Sequence, residues 1–476
     1  MPPRRVAGPR NGAQTEVHTV STLVLSLALC LLLSASRPAA AQAVTEIVVA
    51  TVNNAHMLQM QRLTPQFERA NPDIRVKWIT LEEGALRQRV TQDAASGAGG
   101  LDVMTVGLYE AQVWGRKGWL RPLALPASWD ADDLLPPIRD GLSIDGRLYA
   151  APFYGESSLL MVRSDLADKA GVAFKDRPSW AQVRDAAARL HQPDQGIYGL
   201  CLRGKPGWGE NVTLLTTIVN SHGGQWFDMR WRPQLDSKPW RDAVGLYVDL
   251  MKRFGPPAAA ANGYNELLGL FKAGRCAMWV DASIALASLS NPEESRVAGR
   301  VSAYQAPSAV TPKGANWLWS WSLAVPSASK HPAQALRFID WATNKAYLAQ
   351  VAQQVGWPAV PTGTRKSLYA NPAFMRAAPF AAAERTAINS VNQGDFTLPR
   401  SPYAGVQFVA IPEFPSIGIA VGEQIAAAVS GKVSVEQALR ASQQAADRAM
   451  RDAGYYRETP EERAEPAPRS GAKPAR

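Results

Sequence analysis

The chain has 476 residues, 46% of them hydrophobic and 19% charged, with 36 Gly and 35 Pro. That is too long for one compact domain and too apolar for a disordered polymer, so two globular units are expected. Of the formal +10 charge, +3 lies in residues 1–41, where Arg4, Arg5, Arg10 and Arg37 outnumber Glu16; the rest is spread rather than blocked, which argues for a soluble protein and against a nucleic-acid surface.

The N-terminus reads as a secretory signal. Basic residues precede the apolar run Val20–Leu33, whose 14 residues fall short of the about 20 needed to span a bilayer. Small residues follow, and Ala39-Ala40-Ala41 and Ala41-Gln42-Ala43 both fit a cleavage site. Cys30 is preceded by Leu29, where lipidation would want a small residue, and more apolar residues follow it. Arg4-Arg5 stands far from the apolar run for twin-arginine export.

Glu46–Val52 is an apolar, β-branched strand ended by Asn53-Asn54. A helix runs from there to about Ala70 and stops at Asn71-Pro72, because Pro72 disfavours helix at the residue before it. Ile74–Thr80 is a second strand, Leu86–Ala95 a helix, and Leu101–Val106 a third strand leading into Tyr109-Glu110. This β-α-β-α-β rhythm predicts a parallel sheet wrapped by helices. The pattern repeats later, with a helix over Ser179–Leu190 that has capping-box spacing from Ser179 to Gln182, and helices over Asn211–Ser221 and Trp240–Phe254. A short strand over Arg275–Val280 follows, then another ahead of Leu323–Pro326, and a long helix over Pro332–Gln354. Pro415–Met450 is Ala-rich, with two helical stretches broken near Gly431. Beyond Tyr456 the composition is that of a disordered tail.

Several chemistries find no support. The sequence has no H-E-x-x-H, paired C-x-x-C, EF-hand loop or G-x-S-x-G, and its five histidines are isolated. Gly269–Cys276 comes near a phosphate-binding loop but lacks its Lys-Ser/Thr pair. After export, Cys201 and Cys276 remain; an oxidising compartment favours a disulfide, two separate buried thiols are the alternative, and geometry decides. What stands out is aromatic rings beside polar groups. Fifteen Trp include Trp317, Trp319 and Trp321, which on a strand would share one face, as hydrophobic core or as a wall for a carbon skeleton. Tyr109-Glu110, Phe153-Tyr154-Gly155-Glu156, Trp208-Gly209-Glu210-Asn211 and Trp279-Val280-Asp281 repeat the pairing, with Arg203 and Arg365 in turn-like contexts. Sugars and sugar alcohols call for this mixture, because each hydroxyl both donates and accepts while the C–H faces pack on rings.

These segments bring a resemblance into view. Phe67–Ile74, Leu101–Val103 with Trp114–Leu120, Leu270–Trp279 (an F-x-x-G-x-x-A-M pattern) and Ala335–Trp341 resemble the extracellular solute-binding proteins of family 1, the binding components of carbohydrate ABC importers. Thr51–Asn54, Phe153–Ser158, Leu202–Gly204, Gly207–Asn211 and the Trp317–Trp321 run are similar to its sorbitol/mannitol-binding branch.

The resemblance implies an α/β fold of two lobes with the ligand in a cleft between them and several hinge crossings. Residues 44–152 and 307–363 would form lobe 1, and 153–306 and 364–456 lobe 2, between a signal peptide over 1–43 and a disordered tail over 457–476. It places Asn53, Asn54, Tyr109 and Glu110 at strand ends of lobe 1, Tyr154 and Glu156 at the first crossing, Arg203, Trp208, Trp279 and Asp281 facing lobe 1 from lobe 2, and Trp319, Trp321 and Arg365 completing the cleft. The expected protein is a periplasmic monomer, its signal cleaved near 41–43, that captures a polyol or small sugar by lobe closure and delivers it to ABC permease subunits, with no cofactor, metal or nucleic acid. The alternatives are a secreted hydrolase using Glu110 and Glu156 as a carboxylate pair, and a sensory sugar-binding module.

Overall fold

The computed structural model describes residues 43–456; the export signal and tail expected from the sequence lie outside the described residues. Ten strands are found among them: β1 (Thr45–Val52), β2 (Ile74–Leu81), β3 (Val103–Val106), β4 (Ser143–Ile144), β5 (Arg147–Leu148), β6 (Ala151–Glu156), β7 (Ser158–Arg163), β8 (Met278–Ala282), β9 (Val301–Gln305) and β10 (Trp319–Ala324). They form a five-stranded sheet in the order β2-β1-β3-β10-β6, a three-stranded sheet β8-β7-β9, and the β4-β5 hairpin.

The first three strands pair in parallel, as the rhythm predicts: β1 with β2 from Thr45–Ile74 to Val52–Leu81, and β1 with β3 at Val49–Val103 and Ala50–Met104. β3 is buried throughout and wholly apolar but for Thr105, whose hydroxyl bonds that of Thr51 at 3.0 Å. β2 is an edge strand, so Arg75 and Lys77 alternate with apolar residues. The helix Ala55–Ala70 and the helix Glu83–Ser96 are the crossovers.

The expectation of a parallel sheet needs correction beyond these strands. β10 runs antiparallel to both β3 and β6, and the second sheet is antiparallel throughout. The chain enters β10 from β9 of the second sheet, so no βαβ geometry fixes its direction, whereas β6, reached from β3 through the helices Leu108–Arg116 and Pro136–Gly141, points the same way as β1, β2 and β3. Ser157 alone separates β6 of the first sheet from β7 of the second, and Tyr154–Glu156 therefore pair within the first sheet. The chain returns between β9 and β10. Ser157 ties the two passages together, its hydroxyl donating to the Trp317 carbonyl at 2.7 Å.

Helix bounds follow local chemistry. Ser179 and Gln182 close the expected capping box of the helix Trp180–Leu190. The expected helix over 332–354 is two, Pro332–Thr343 and Lys345–Gln354, because Asn344 leaves helical geometry and its side chain accepts from the Tyr347 N–H at 2.9 Å. The C-terminal pair, Phe414–Val429 and Val435–Asp452, is separated at Gly431 (φ +75°) and packs on the helices Asn211–Ser221 and Lys238–Phe254. Cys201 and Cys276 form a disulfide, with Cα atoms 6.0 Å apart. Arg365–Tyr369 lies against the first sheet's side of the molecule: Leu135 N–H bonds the Thr364 carbonyl at 2.8 Å and Ser367 bonds Asp133. Buried Glu384 sits where the passages meet, accepting from Ser283 (2.7 Å), Thr362 (3.0 Å) and Tyr369 (2.6 Å).

Candidate functional site

The carboxyl ends of the three parallel strands open on one cavity of about 1010 Å³, where open α/β sheets place ligands. β1 ends at Asn53-Asn54; Asn54 caps the following helix through the Met57 N–H (3.0 Å) and gives its amide to the Tyr154 hydroxyl (3.0 Å). β2 runs into Glu82 and the helix Glu83–Ser96, which carries Arg87 on its cavity side. β3 runs through Gly107 into the helix Leu108–Arg116, bringing Tyr109 and Glu110 in its first turn. Gly107 is required there, since a Cβ would lie 1.8 Å from the Trp319 ring. Trp319 and Trp321 of β10 stand directly opposite Glu156 and Tyr154 of β6. From the second sheet's side come Arg203, the loop Lys205–Glu210 before the helix Asn211–Ser221, and Tyr264 at the head of the helix Tyr264–Lys272.

Two arginines organise the charge. Arg87 gives Nε (3.0 Å) and Nη2 (2.9 Å) to Glu83 and Nη1 to Glu110, which itself accepts the Gly107 N–H at 2.8 Å. Arg203 holds Asp281 through Nε (2.9 Å) and Nη2 (2.6 Å) and donates Nη1 to the Gly209 carbonyl at 2.9 Å. Burial disfavours both charges, but Glu110 and Glu83 outweigh it for Arg87 and Asp281 for Arg203, so both guanidinium groups are held more firmly protonated than usual. Glu156 differs. Burial pushes its carboxyl up to about 8 against the pull of Arg203, and among the described residues none donates a hydrogen bond to it. Glu210 is likewise pushed up by burial.

The rings in this cavity carry cations. The Arg87 guanidinium lies 4.0 Å from the Trp208 ring centroid and 4.9 Å from those of Trp319 and Trp321. Arg203 lies 5.2 Å from Tyr264 and 5.6 Å from Trp317, and Lys117 lies 4.7 Å from Trp119 at the outer end. Trp208 is further packed by Tyr109, Trp319 and Phe414.

The residues expected to bind ligand line this cavity, except for three. Asp281 and Trp279 stand behind Arg203: Asp281 also accepts the Trp279 indole N–H (3.0 Å) and the Ala282 N–H (2.6 Å), so its valences are spent on structure. Arg365 is elsewhere, sandwiched over Trp129 at 4.6 Å and donating to the Asp130 and Thr343 carbonyls. Trp317 and Glu210, present in the aromatic–polar runs of the sequence, also line it, whereas sequence reasoning missed Glu83, Arg87, Lys205 and Tyr264. The i,i+4 spacing of Glu83 and Arg87 was an available signal, since it puts the pair on one helix face. Among the described residues no cluster suited to a metal ion occurs, and no helix is long and apolar enough to cross a membrane.

The chain is similar to known proteins along most of its length. A mannitol-binding protein of Pseudomonas aeruginosa is 48% identical over 419 residues, which is 88% of this chain and 96% of that one. A solved ABC transporter solute-binding protein of Agrobacterium vitis S4 with bound D-mannitol is 50% identical and superposes with a TM-score of 0.85 over 86% of this chain and 99% of its own. A second, from Agrobacterium radiobacter K84 in complex with ribitol, shares the fold at TM-score 0.76 and 22% identity, over 86% of this chain and 99% of that one. These neighbours are binding proteins, and the fold they share with this chain is the two-lobed one. Residues 53–349 match the family described as bacterial extracellular solute-binding protein, and this chain belongs to it.

Proposed function

We propose that this chain is the periplasmic binding component of an ABC importer for a linear sugar alcohol, with mannitol or sorbitol as the model ligand. The observation that carries the reading is Glu156, a buried carboxylate lining the cavity with no donor from the described residues. Ligand hydroxyls supply such donors, and each hydrogen bond to a charged group contributes about 1.5–3 kcal/mol. Each guanidinium has five N–H groups, of which the bonds above use three, leaving donors for ligand oxygens on both walls. A few such bonds suffice for micromolar affinity, about −8 kcal/mol.

In this reading Asn54, Tyr109, Glu110, Tyr154, Glu156, Arg203, Trp208, Trp319 and Trp321 surround the ligand, with Arg87 added. Asp281 and Trp279 act through Arg203, and Arg365 is withdrawn from the site. The lobes are centred on the two sheets, and the pairing of Tyr154–Glu156 with β10 supports moving the first boundary to Ser157. Ligand contacts both lobes only when they are closed and so favours that form. An export signal cleaved near 41–43 delivers the chain to the periplasm, where the closed form docks on permease subunits. The mannitol-binding relative, at 48% identity, supports the ligand class. A hydrolytic role is disfavoured because Glu110 is committed to Arg87 and the Gly107 N–H. Titration calorimetry should give saturable binding of D-mannitol, D-sorbitol or ribitol, and chromatography should return the ligand unchanged. No binding to any of the three, or the appearance of products, would overturn the reading.

A further inference from the structure

The aromatic rings of a sugar site ordinarily offer flat faces to the C–H plate of a pyranose. Here those faces are engaged. One guanidinium, Arg87, lies against Trp208, Trp319 and Trp321; Arg203 lies against Trp317 and Tyr264; and Lys117 lies against Trp119. Arg87 is not a side chain that a ligand would push aside. Three of its N–H groups are spent on Glu83 and Glu110, and Glu110 is fixed in turn by the Gly107 N–H. Leaving the indoles would separate buried opposite charges, a costly step in a poorly solvated site. A ligand therefore meets the edge of the guanidinium plane, with its remaining N–H donors, rather than an open indole face.

Resting on the polyol reading above, we infer that Arg87 is a specificity-determining residue: by occupying the faces of Trp208, Trp319 and Trp321 it excludes pyranose rings and selects acyclic polyols. An acyclic chain carries a hydroxyl on each carbon and no rigid C–H plate, so it loses nothing when ring faces are covered and gains the in-plane donors. A locked ring loses its stacking surface and keeps only part of its hydroxyls in reach. Glu83 and Glu110 are positioning residues that hold the guanidinium on the indoles.

The test is the ratio of affinities for D-mannitol and methyl β-D-glucopyranoside, a sugar that cannot open, measured by calorimetry on the wild-type chain and on Arg87→Ala. The wild-type chain should prefer mannitol, and Arg87→Ala should lower that preference at least tenfold, by weakening mannitol and strengthening the glucoside. A variant that keeps the wild-type ratio overturns the inference and leaves the polyol reading standing. A wild-type chain that does not prefer mannitol overturns both. Should Arg87→Ala fail to unfold cooperatively, Arg87→Lys serves in its place. It keeps the charge, but its compact ammonium can lie on one ring, as Lys117 does on Trp119, and not on three indoles at once, so it too should lose the preference at least tenfold, and retention of the ratio counts against the inference in the same way.

Discussion

Glu156 shows how burial sets a residue's chemistry before any ligand arrives. Its carboxyl is pushed up to about 8, from an ordinary 4.5, chiefly by desolvation. The folded chain thus holds a proton that the unfolded chain gives up between about pH 4.5 and 8, so this residue's contribution to stability is fully present below 4.5 and lost as pH rises towards 8. Hydroxyl donors from a ligand favour the ionised form and reverse the shift. Binding at pH 7 should therefore release a proton, and affinity should climb between pH 6 and 8 by at most tenfold per unit. Calorimetry in two buffers of different ionisation enthalpy reads the proton directly; Glu156→Gln should release none. An unchanged proton count in that variant would assign the linkage to another group. The candidate residue itself was legible, as a carboxylate in an aromatic run. The division of labour was not: Trp279-Val280-Asp281 and Phe153-Tyr154-Gly155-Glu156 look alike in sequence, yet Asp281 is consumed by Arg203 while Glu156 is left for the cavity. What separates them is which neighbour each strand brings alongside, and that is tertiary information.

At the scale of elements, the segment Tyr198–Cys201 runs beside the approach to β8, bonded through Tyr198 N–H to Arg275 (2.8 Å) and Cys201 N–H to Met278 (2.9 Å). The Cys201–Cys276 disulfide fastens the same two segments across 75 residues. Closing so long a loop restricts the unfolded chain, so replacing both cysteines with Ala should cost about 2–5 kcal/mol in urea unfolding. Mannitol affinity should fall little, because Arg203, two residues beyond Cys201, and Asp281, five beyond Cys276, hold their own geometry. A stability loss below 1 kcal/mol would mean the ladder hydrogen bonds alone align the pair. β1 and β3 were readable because burial demands apolar, β-branched runs, and β2 because apolar residues alternate with Arg75 and Lys77 at the sheet edge. β6 and β7 were not, since Pro152, Gly155 and the serines that mark the passage between sheets interrupt the pattern that periodicity detects. The break at Asn344 carries only a local signal, a Thr-Asn pair with Asn a preferred N-cap, inside an otherwise helical run, and the cap bond to Tyr347 decides it.

Across the whole molecule, the two walls of the cleft already touch. Asn265 donates to Glu82 at 3.3 Å, Tyr109 donates to the Ile411 carbonyl at 3.0 Å, and Arg87 of one wall lies on Trp208 of the other. They also meet tightly at Gly209, where a Cβ would stand 2.1 Å from Glu83 Oε1. A free glutamate would swing away, but this one is pinned to Arg87 through Nε and Nη2. Gly209→Ala therefore forces a choice between breaking that pair and stopping closure short. The residue faces the cleft rather than either lobe's interior, so the thermal midpoint of the protein alone should be nearly unchanged. With mannitol in excess, the wild-type midpoint should rise, by about 2.7 kcal/mol of stabilisation at a hundredfold excess over Kd. The variant should bind at least tenfold more weakly, and its small-angle scattering radius with ligand should stay larger than that of the liganded wild type. Equal affinity and an equal radius would mean that ligand capture does not depend on bringing Glu83 against Gly209, and that the cleft closes along some other line.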